Sequence, residues 1–226
     1  MKKTVRLYIT RHGQTEFNLE HRAQGLQDSP LTLEGRESAT RLGKGLRGIK
    51  FDYAYSSSSK RASDTAQIAL DNMGFGLALI TDDNLRERGL GKLEGRILGS
   101  ANWDNAHLVA EMAGHVGKLD IEALDEGYQT IVPLDGEPIE KPYDLEELSV
   151  FKARLKKALD DICASVEGED VNVFVVSHGF AIVGLIYELT GNKYSDGFVK
   201  NASVTVVENV DGVYHIRKFN DTSYIE

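Results

Sequence analysis

Two histidines, two arginines and a glutamate stand where short apolar runs give way to polar loops. His12 lies in Thr10-Arg11-His12-Gly13-Gln14-Thr15 and His178 in Val176-Ser177-His178-Gly179; Arg61 follows the serine run Ser56 to Ser59, and Glu87 follows residues 77–81. A neutral imidazole can attack phosphorus and carry a covalent intermediate, which splits one hard displacement into two easier ones. The transferring group spreads negative charge over three equatorial oxygens, so it demands positioning and positive charge. Arg11 and Arg61 can fork onto those oxygens as lysine cannot, and a protonated His178 would add a third cationic donor. The leaving oxygen needs a proton, which a carboxylic acid such as Glu87 can give and then recover from water. His12 must stay neutral while Glu87 keeps its proton, so an activity optimum on the acid side of neutrality is expected.

These groups can converge only if the elements before them lie side by side. Val5 to Thr10 reads as a buried strand. A polar loop runs to about Pro30, after which Thr32 caps a predicted helix over Leu33 to Leu46. Leu33, Ala39, Leu42 and Leu46 are expected inward; Glu34, Arg36, Glu37 and Arg41 are expected outward. Phe51 to Ser56 is a second strand, Lys60 to Met73 a helix stopped by Gly74, and residues 77–81 a third strand. Leu145 to Val166 is amphipathic and closed by Gly168, and Val171 to Val176 is apolar throughout, as in a strand buried on both faces. A helix over Ala181 to Thr190 follows. Ser203 to Glu208 and Val213 to Phe219 form a hairpin around Asp211-Gly212. This alternation predicts one domain over residues 1–226: a three-layer α/β/α sandwich with a largely parallel sheet and a C-terminal antiparallel hairpin. Residues 96–144 are irregular and are expected to form a lid insertion over the site. In such folds ligands bind beyond the carboxyl ends of the strands, where His12 and His178 fall. Gly13 and Gly179 are expected to let backbone approach the ligand.

Composition narrows the partners. Lysine and arginine number 26 against 35 aspartates and glutamates, a formal net charge of −9. Nucleic acid and anionic membrane both need a basic face and are excluded on that ground. A small phosphorylated metabolite would be repelled at long range, so its site must concentrate positive charge locally. No run is long enough to span a bilayer, and the apolar stretch after Met1-Lys2-Lys3 is too short and polar for a signal h-region. The lone Cys163 forms no intrachain disulfide, which leaves the cytoplasm as the default address. It falls in an amphipathic stretch and reads as a small buried hydrophobe rather than a nucleophile. His21, His107, His115 and His215 lack metal-ligand spacing, so no metal is expected. Gly43-Lys44-Gly45-Leu46-Arg47-Gly48 matches a dinucleotide fingerprint only on paper, because it ends a helix instead of following a strand. Glu146-Glu147 reads as a solvated helix face, and Trp103 and Tyr128 as packing aromatics of the insertion. Nothing here decides between monomer and homo-oligomer.

Arg11-His12-Gly13-Gln14-Thr15-Glu16-Phe17-Asn18 resembles the signature of the histidine phosphatase superfamily, the phosphoglycerate mutase-like proteins. Four further blocks follow in that family's order. They are Gln24-Gly25 with Asp28-Ser29-Pro30-Leu31-Thr32 and Gly35; Tyr55-Ser56-Ser57 with Lys60-Arg61-Ala62 and Thr65-Ala66; Leu85-Arg86-Glu87 with Gly91 and Glu94-Gly95; and Ser177-His178-Gly179. Together they cover about residues 5–95 and 171–190. The resemblance implies His12 as nucleophile, Arg11, Arg61 and His178 as the phosphate pocket, and Glu87 as proton donor. It also implies Asn18 and Gln24 as further phosphate or substrate contacts, with Gly25 beside them, and no metal.

The departures bear on activity. Ser59 and Asp64 replace an apolar residue and a glutamine, which touches packing more than chemistry. Lys92-Leu93 replaces an acidic-aromatic pair, and residues 96–144 match nothing in the family pattern. The basic, Asn-Lys-containing insert of cofactor-dependent phosphoglycerate mutases is missing after the acid motif, which favours hydrolysis over isomerisation. The expected activity is thus a phosphatase acting on phosphate monoesters of small metabolites, without cofactor. The alternatives are a mutase, which would need bisphosphoglycerate, and an inactive module that binds a phosphorylated ligand.

Overall fold

Two parallel strands form the centre of the molecule, and their register sets the site. In the computed structural model, which describes residues 3–98, 121–136, 139–191 and 199–226, β1 (Thr4–Arg11) pairs with β4 (Asp170–Ser177) from Thr4 opposite Asp170 to Arg11 opposite Ser177. His12 and His178 therefore leave the sheet at the same level. β2 (Tyr53–Ser57) runs parallel to β4, and the edge strand β3 (Leu79–Asp82) parallel to β2. On the other side β5 (Val204–Val210) and β6 (Val213–Asp221) are antiparallel, giving the order β3-β2-β4-β1-β5-β6.

The central strands alternate between two cores, as strand geometry requires. Val171, Val173 and Val175 join Leu7 and Ile9 beneath one helical layer, while Phe174 and Val176 join Ala54 and Val204 on the opposite face. α1 (Glu16–Leu19) is a single turn inside the first loop, α2 (Leu33–Gly45) and α3 (Lys60–Met73) pack together on the Phe174 face. α4 (Ile121–Thr130), α5 (Leu148–Ser165) and α6 (Gly179–Thr190) contribute to the Val173 face. The molecule is the expected three-layer sandwich with its terminal hairpin.

Local chemistry explains most boundaries. Thr32 accepts the Gly35 N–H at 3.0 Å and so caps α2, and Gly74, at a φ of +84°, ends α3. Three expectations are corrected. Leu33 was expected inward, but at the first position of α2 no neighbouring element covers it and it is 75% exposed. The helix expected from Leu145 begins at Leu148, because the Glu146 N–H donates outside the helix, to the Gly89 carbonyl at 2.8 Å. The first loop holds α1, which hydrophobic periodicity could not reveal: it stands on a capping box in which Thr15 and Asn18 exchange bonds.

Residues 96–144 have described parts on both sides of 99–120. Ile121, Ile131 and Tyr143 are buried in the Val173-side core. The Tyr143 carbonyl accepts the Lys92 N–H at 2.8 Å, and the Lys92 ammonium reaches the Pro142 carbonyl at 3.0 Å. Leu93 is fully buried. The Lys92-Leu93 departure is thus an adaptation to the segment packed on it. Trp103, His107 and His115 lie outside the described residues. Among the described residues no helix is long and apolar enough to cross a membrane.

Candidate active site

His12 follows β1 directly, and its backbone N–H donates to the Ser177 carbonyl at 3.0 Å. That bond continues the β1–β4 ladder past the last paired residues, bringing the His12 and His178 rings to 5.2 Å between centroids. The Nδ1 of His12 lies 2.8 Å from the Gly13 carbonyl. A carbonyl only accepts, so Nδ1 carries the proton and Nε2 presents its lone pair. The Arg61 Nε–H, at 3.3 Å, donates to that lone pair. Burial, then the charges of Arg61 and Arg11, hold the His12 pKa well below the usual histidine range.

Arg61 comes from the first turn of α3 and is 1% exposed. Its Nη1 donates to the Gln27 carbonyl at 2.9 Å and to Asp28 Oδ1 at 2.8 Å, and its Nη2 to the Gly25 carbonyl at 2.7 Å. Asp28 also accepts the Lys60 N–H at 2.6 Å, so one carboxylate caps the helix and steadies the guanidinium. Arg11, the last residue of β1, donates through Nη1 to the Val199 carbonyl at 2.7 Å. His178 Nε2 sits 2.8 Å from Ser57 Oγ at the tip of β2. Its Nδ1 is buried and has no hydrogen-bond partner among the described residues. Burial, Arg61, His12 and Arg11 push its pKa well below the usual value. A charge on His178 is disfavoured in this arrangement, since burial and the neighbouring Arg61, His12, Arg11 and Arg154 all oppose a proton on the ring.

Glu87 is 8% exposed. Burial raises its pKa, against the opposing pull of the Arg88 and Phe180 N–H groups and the two arginines. Glu94, its near neighbour in sequence, does different work: its carboxylate accepts the N–H groups of Gly25, Leu26, Gln27 and Leu90. It ties the first loop to the acid segment.

His12, Arg11 and Glu87 line a cavity of about 330 Å³, together with Asn18, Gln24 and Gly179. That size suits a small metabolite. Asn18 also braces α1, and Gln24 accepts from Thr15 Oγ1 and donates to Ser29 Oγ, at 2.8 and 2.9 Å. Gly25 has a packing reason as well, since a Cβ there would meet the Arg88 carbonyl at 2.2 Å. Gly13 is required by packing too. A Cβ on it would lie 2.5 Å from the Gly35 carbonyl, so the missing side chain admits the start of α2. Tyr128 of α4, expected only to pack, lines the cavity, and burial raises its pKa. Cys163 is half-buried, with a thiol pKa raised by burial.

Sequence reasoning passed over Arg88 and Asn201, and it named Ser57 and Asp28 only as members of the family blocks, with no role of their own. Asn201 donates to the His12 carbonyl at 2.8 Å, and Arg88, fully buried, lines the cavity. Ser57 and Asp28 did carry a signal, as members of the blocks that resemble the family pattern. Asn201 sits in a loop before β5 whose nearness to β1 is a tertiary fact.

The description of the histidine phosphatase superfamily (branch 1) matches residues 7–115 and 111–222. The chain belongs to that superfamily. Phosphoglycerate mutase-like protein 4 of Arabidopsis thaliana is 31% identical over 222 residues, 97% of this chain and 86% of that protein. A phosphoglycerate mutase from Bacillus anthracis str. Sterne superposes with a TM-score of 0.83 at 35% identity, over 99% of this chain and 96% of that one. A mycobacterial glucosyl-3-phosphoglycerate phosphatase, solved as a complex with VO3, superposes at 0.71 with 26% identity, over 96% and 98% of the two chains. The superfamily member described here is thus an enzyme whose relatives carry the names of both mutases and phosphatases.

Proposed function

We propose that this enzyme is a metal-independent phosphatase that hydrolyses phosphate monoesters of small metabolites through a phosphohistidine on His12. The observation that carries the reading is the His12 ring: Nδ1 fixed on the Gly13 carbonyl, Nε2 basic and beside Arg61. On substrate binding the Arg61 Nε–H moves from Nε2 to a phosphoryl oxygen, which frees the lone pair. Nε2 then bonds to phosphorus while the ester oxygen departs with the Glu87 proton. In the second half the Glu87 carboxylate takes a proton from water as its oxygen attacks phosphorus. Phosphate leaves, His12 regains its lone pair, and Glu87 is again protonated. Arg11 and Arg61 neutralise the equatorial oxygens, so no step calls on a metal or organic cofactor. The dianion itself favours proton uptake by His178, whose Nδ1 can then donate.

Asn18, Gln24, Gly25 and Gly179 serve as substrate contacts around the transferred group. Residues 96–144 act as the specificity lid of a single domain, a reading supported by Tyr128 in the cavity wall. Hydrolysis is favoured over isomerisation because residues 97–117 contain neither lysine nor arginine. A mutase must hold its product's anionic groups while the phosphoryl group returns. The work is that of a cytoplasmic enzyme on free metabolites.

The test is a panel of phosphorylated metabolites with chelator present. Phosphate release is expected, together with an acid-labile adduct on His12 in quenched enzyme; His12→Ala abolishes both. Rapid formation of 2-phosphoglycerate without net phosphate release, dependent on bisphosphoglycerate, would install the mutase reading. Binding of esters without turnover would make the protein an inactive module.

A further inference from the structure

The Glu87 carboxyl is held at both oxygens: Oε1 accepts the Arg88 N–H and Oε2 the Phe180 N–H, each at 3.0 Å. What holds the Glu87 backbone is less obvious. β3 ends at Asp82, and between it and Glu94 the chain makes two short 3-10 turns, Asp83–Leu85 and Gly91–Leu93. Buried backbone without a ladder needs partners from elsewhere.

Arg154 on α5 supplies them. Its Nη1 donates to the carbonyls of Asn84 and Arg86, at 2.9 and 2.7 Å, and its Nη2 to the carbonyl of Glu87, at 2.8 Å. Its other edge forks onto Glu146, Nε to Oε1 at 2.7 Å and Nη2 to Oε2 at 2.8 Å. A guanidinium has five N–H donors, and all are engaged. Glu146 extends the grip. Its Oε2 accepts the Gly89 N–H at 3.1 Å and its own carbonyl accepts the Arg88 Nε–H at 2.8 Å. The two side chains are only 15% and 21% exposed. A second route reaches the far side of the carboxyl. Arg154 lies over the Phe151 ring at 5.0 Å, and Phe151 stacks on Phe180 at 5.3 Å, the residue whose N–H holds Oε2. Glu146 is therefore no solvated helix face: it is the hinge pin between α5 and the acid segment.

We propose that Arg154 and Glu146 are positioning residues for the Glu87 carboxyl, fixing its distance to the departing ester oxygen. The inference rests on Glu87 as proton donor in the reaction above. Proton transfer tolerates little displacement, and lysine, with three donors on a point charge, cannot bridge three carbonyls and a carboxylate.

The experiment compares kcat/KM, which covers the steps up to phosphohistidine formation, for an alkyl phosphate and for p-nitrophenyl phosphate. It uses Glu146→Gln and Arg154→Lys, with Glu87→Gln as reference and thermal melting of each. The alkyl ester is expected to lose ~10-fold or more in both variants and the aryl ester less than about threefold, because only the poor leaving group needs the acid. Should Arg154→Lys melt early, Glu146→Gln, which keeps an amide oxygen facing Arg154, carries the comparison. Equal losses on both esters, or none, would make the pair scaffold only, provided Glu87→Gln discriminates between them. A Glu87→Gln variant blind to leaving group would bring down the donor assignment and this proposal together.

Discussion

At the scale of single residues, the site works by pushing protons in opposite directions within one cavity. Burial and two arginines keep His12 neutral, while burial keeps the proton on Glu87 above the ordinary carboxylate range. Both shifts follow from desolvation disfavouring charge, whichever sign the charge has. For a poor leaving group, kcat/KM should therefore fall as pH rises through the Glu87 pKa, since the acid form is consumed. Glu87→Gln should abolish that alkaline limb and cost the alkyl ester ~100-fold or more, the usual scale of a general acid. A pH–rate profile with both esters measures this directly; an unchanged limb in the variant would assign it to another group.

At the scale of elements, a strand register and a few tight contacts do the positioning. The β1–β4 pairing places two histidines side by side, and the mutual approach of Gly13 and Gly35 seats α2 against the loop that follows His12. A Cβ on Gly35 would meet the Gln14 carbonyl at 2.0 Å, a backbone atom that cannot swing aside. Gly35→Ala should thus destabilise by roughly 1–3 kcal/mol, the scale of overpacking, seen as a lower midpoint in urea. Asp28→Asn is a gentler probe. The amide can still cap α3, but it loses the charge opposite Arg61. A several-fold rise in KM with small loss of stability is expected, and a Kd for inorganic phosphate that did not change would argue against the brace.

Across the whole molecule, the net charge of −9 is offset inside the cavity by arginine, and that arrangement has a consequence for stability. His12 and His178 are buried neutral, with folded pKa values below the ordinary 6.5. Their contribution is complete above about pH 6.5 and is lost as pH falls, because the unfolded chain takes up protons that the fold refuses. Glu87 acts in the reverse sense: its raised pKa favours the fold at low pH, and that contribution is lost as pH rises from the ordinary carboxylate value through the folded pKa, which partly offsets the histidine slope. Stability of the empty enzyme should fall from pH 7 toward pH 5 with a slope approaching ~1.4 kcal/mol per pH unit for each histidine. Urea midpoints of His178→Asn across that range should show a flatter acid limb. An identical slope would mean that His178 is already able to protonate in the fold.

Much of the candidate site was readable from residue types beside element ends: His12 and His178 after strands, Arg61 opening a helix, Glu87 after an edge strand. The reason is that ligand sites of open α/β sheets gather at strand tips, so chemistry and periodicity point to the same places. The cores were legible for a similar reason, since Val171 to Val176 could be buried on both faces in few other ways. Other features belong to tertiary structure alone. The charge state of His178 depends on neighbours from β1 and α3, which no local window contains. Asn201 reaches His12 across 189 positions of chain. Glu146 looked like a solvated acid because its partner Arg154 and its target Gly89 come together only when α5 packs beside the acid segment. Sequence by itself determined which groups can react; packing decided which of them carry charge, which face one another, and what holds them there.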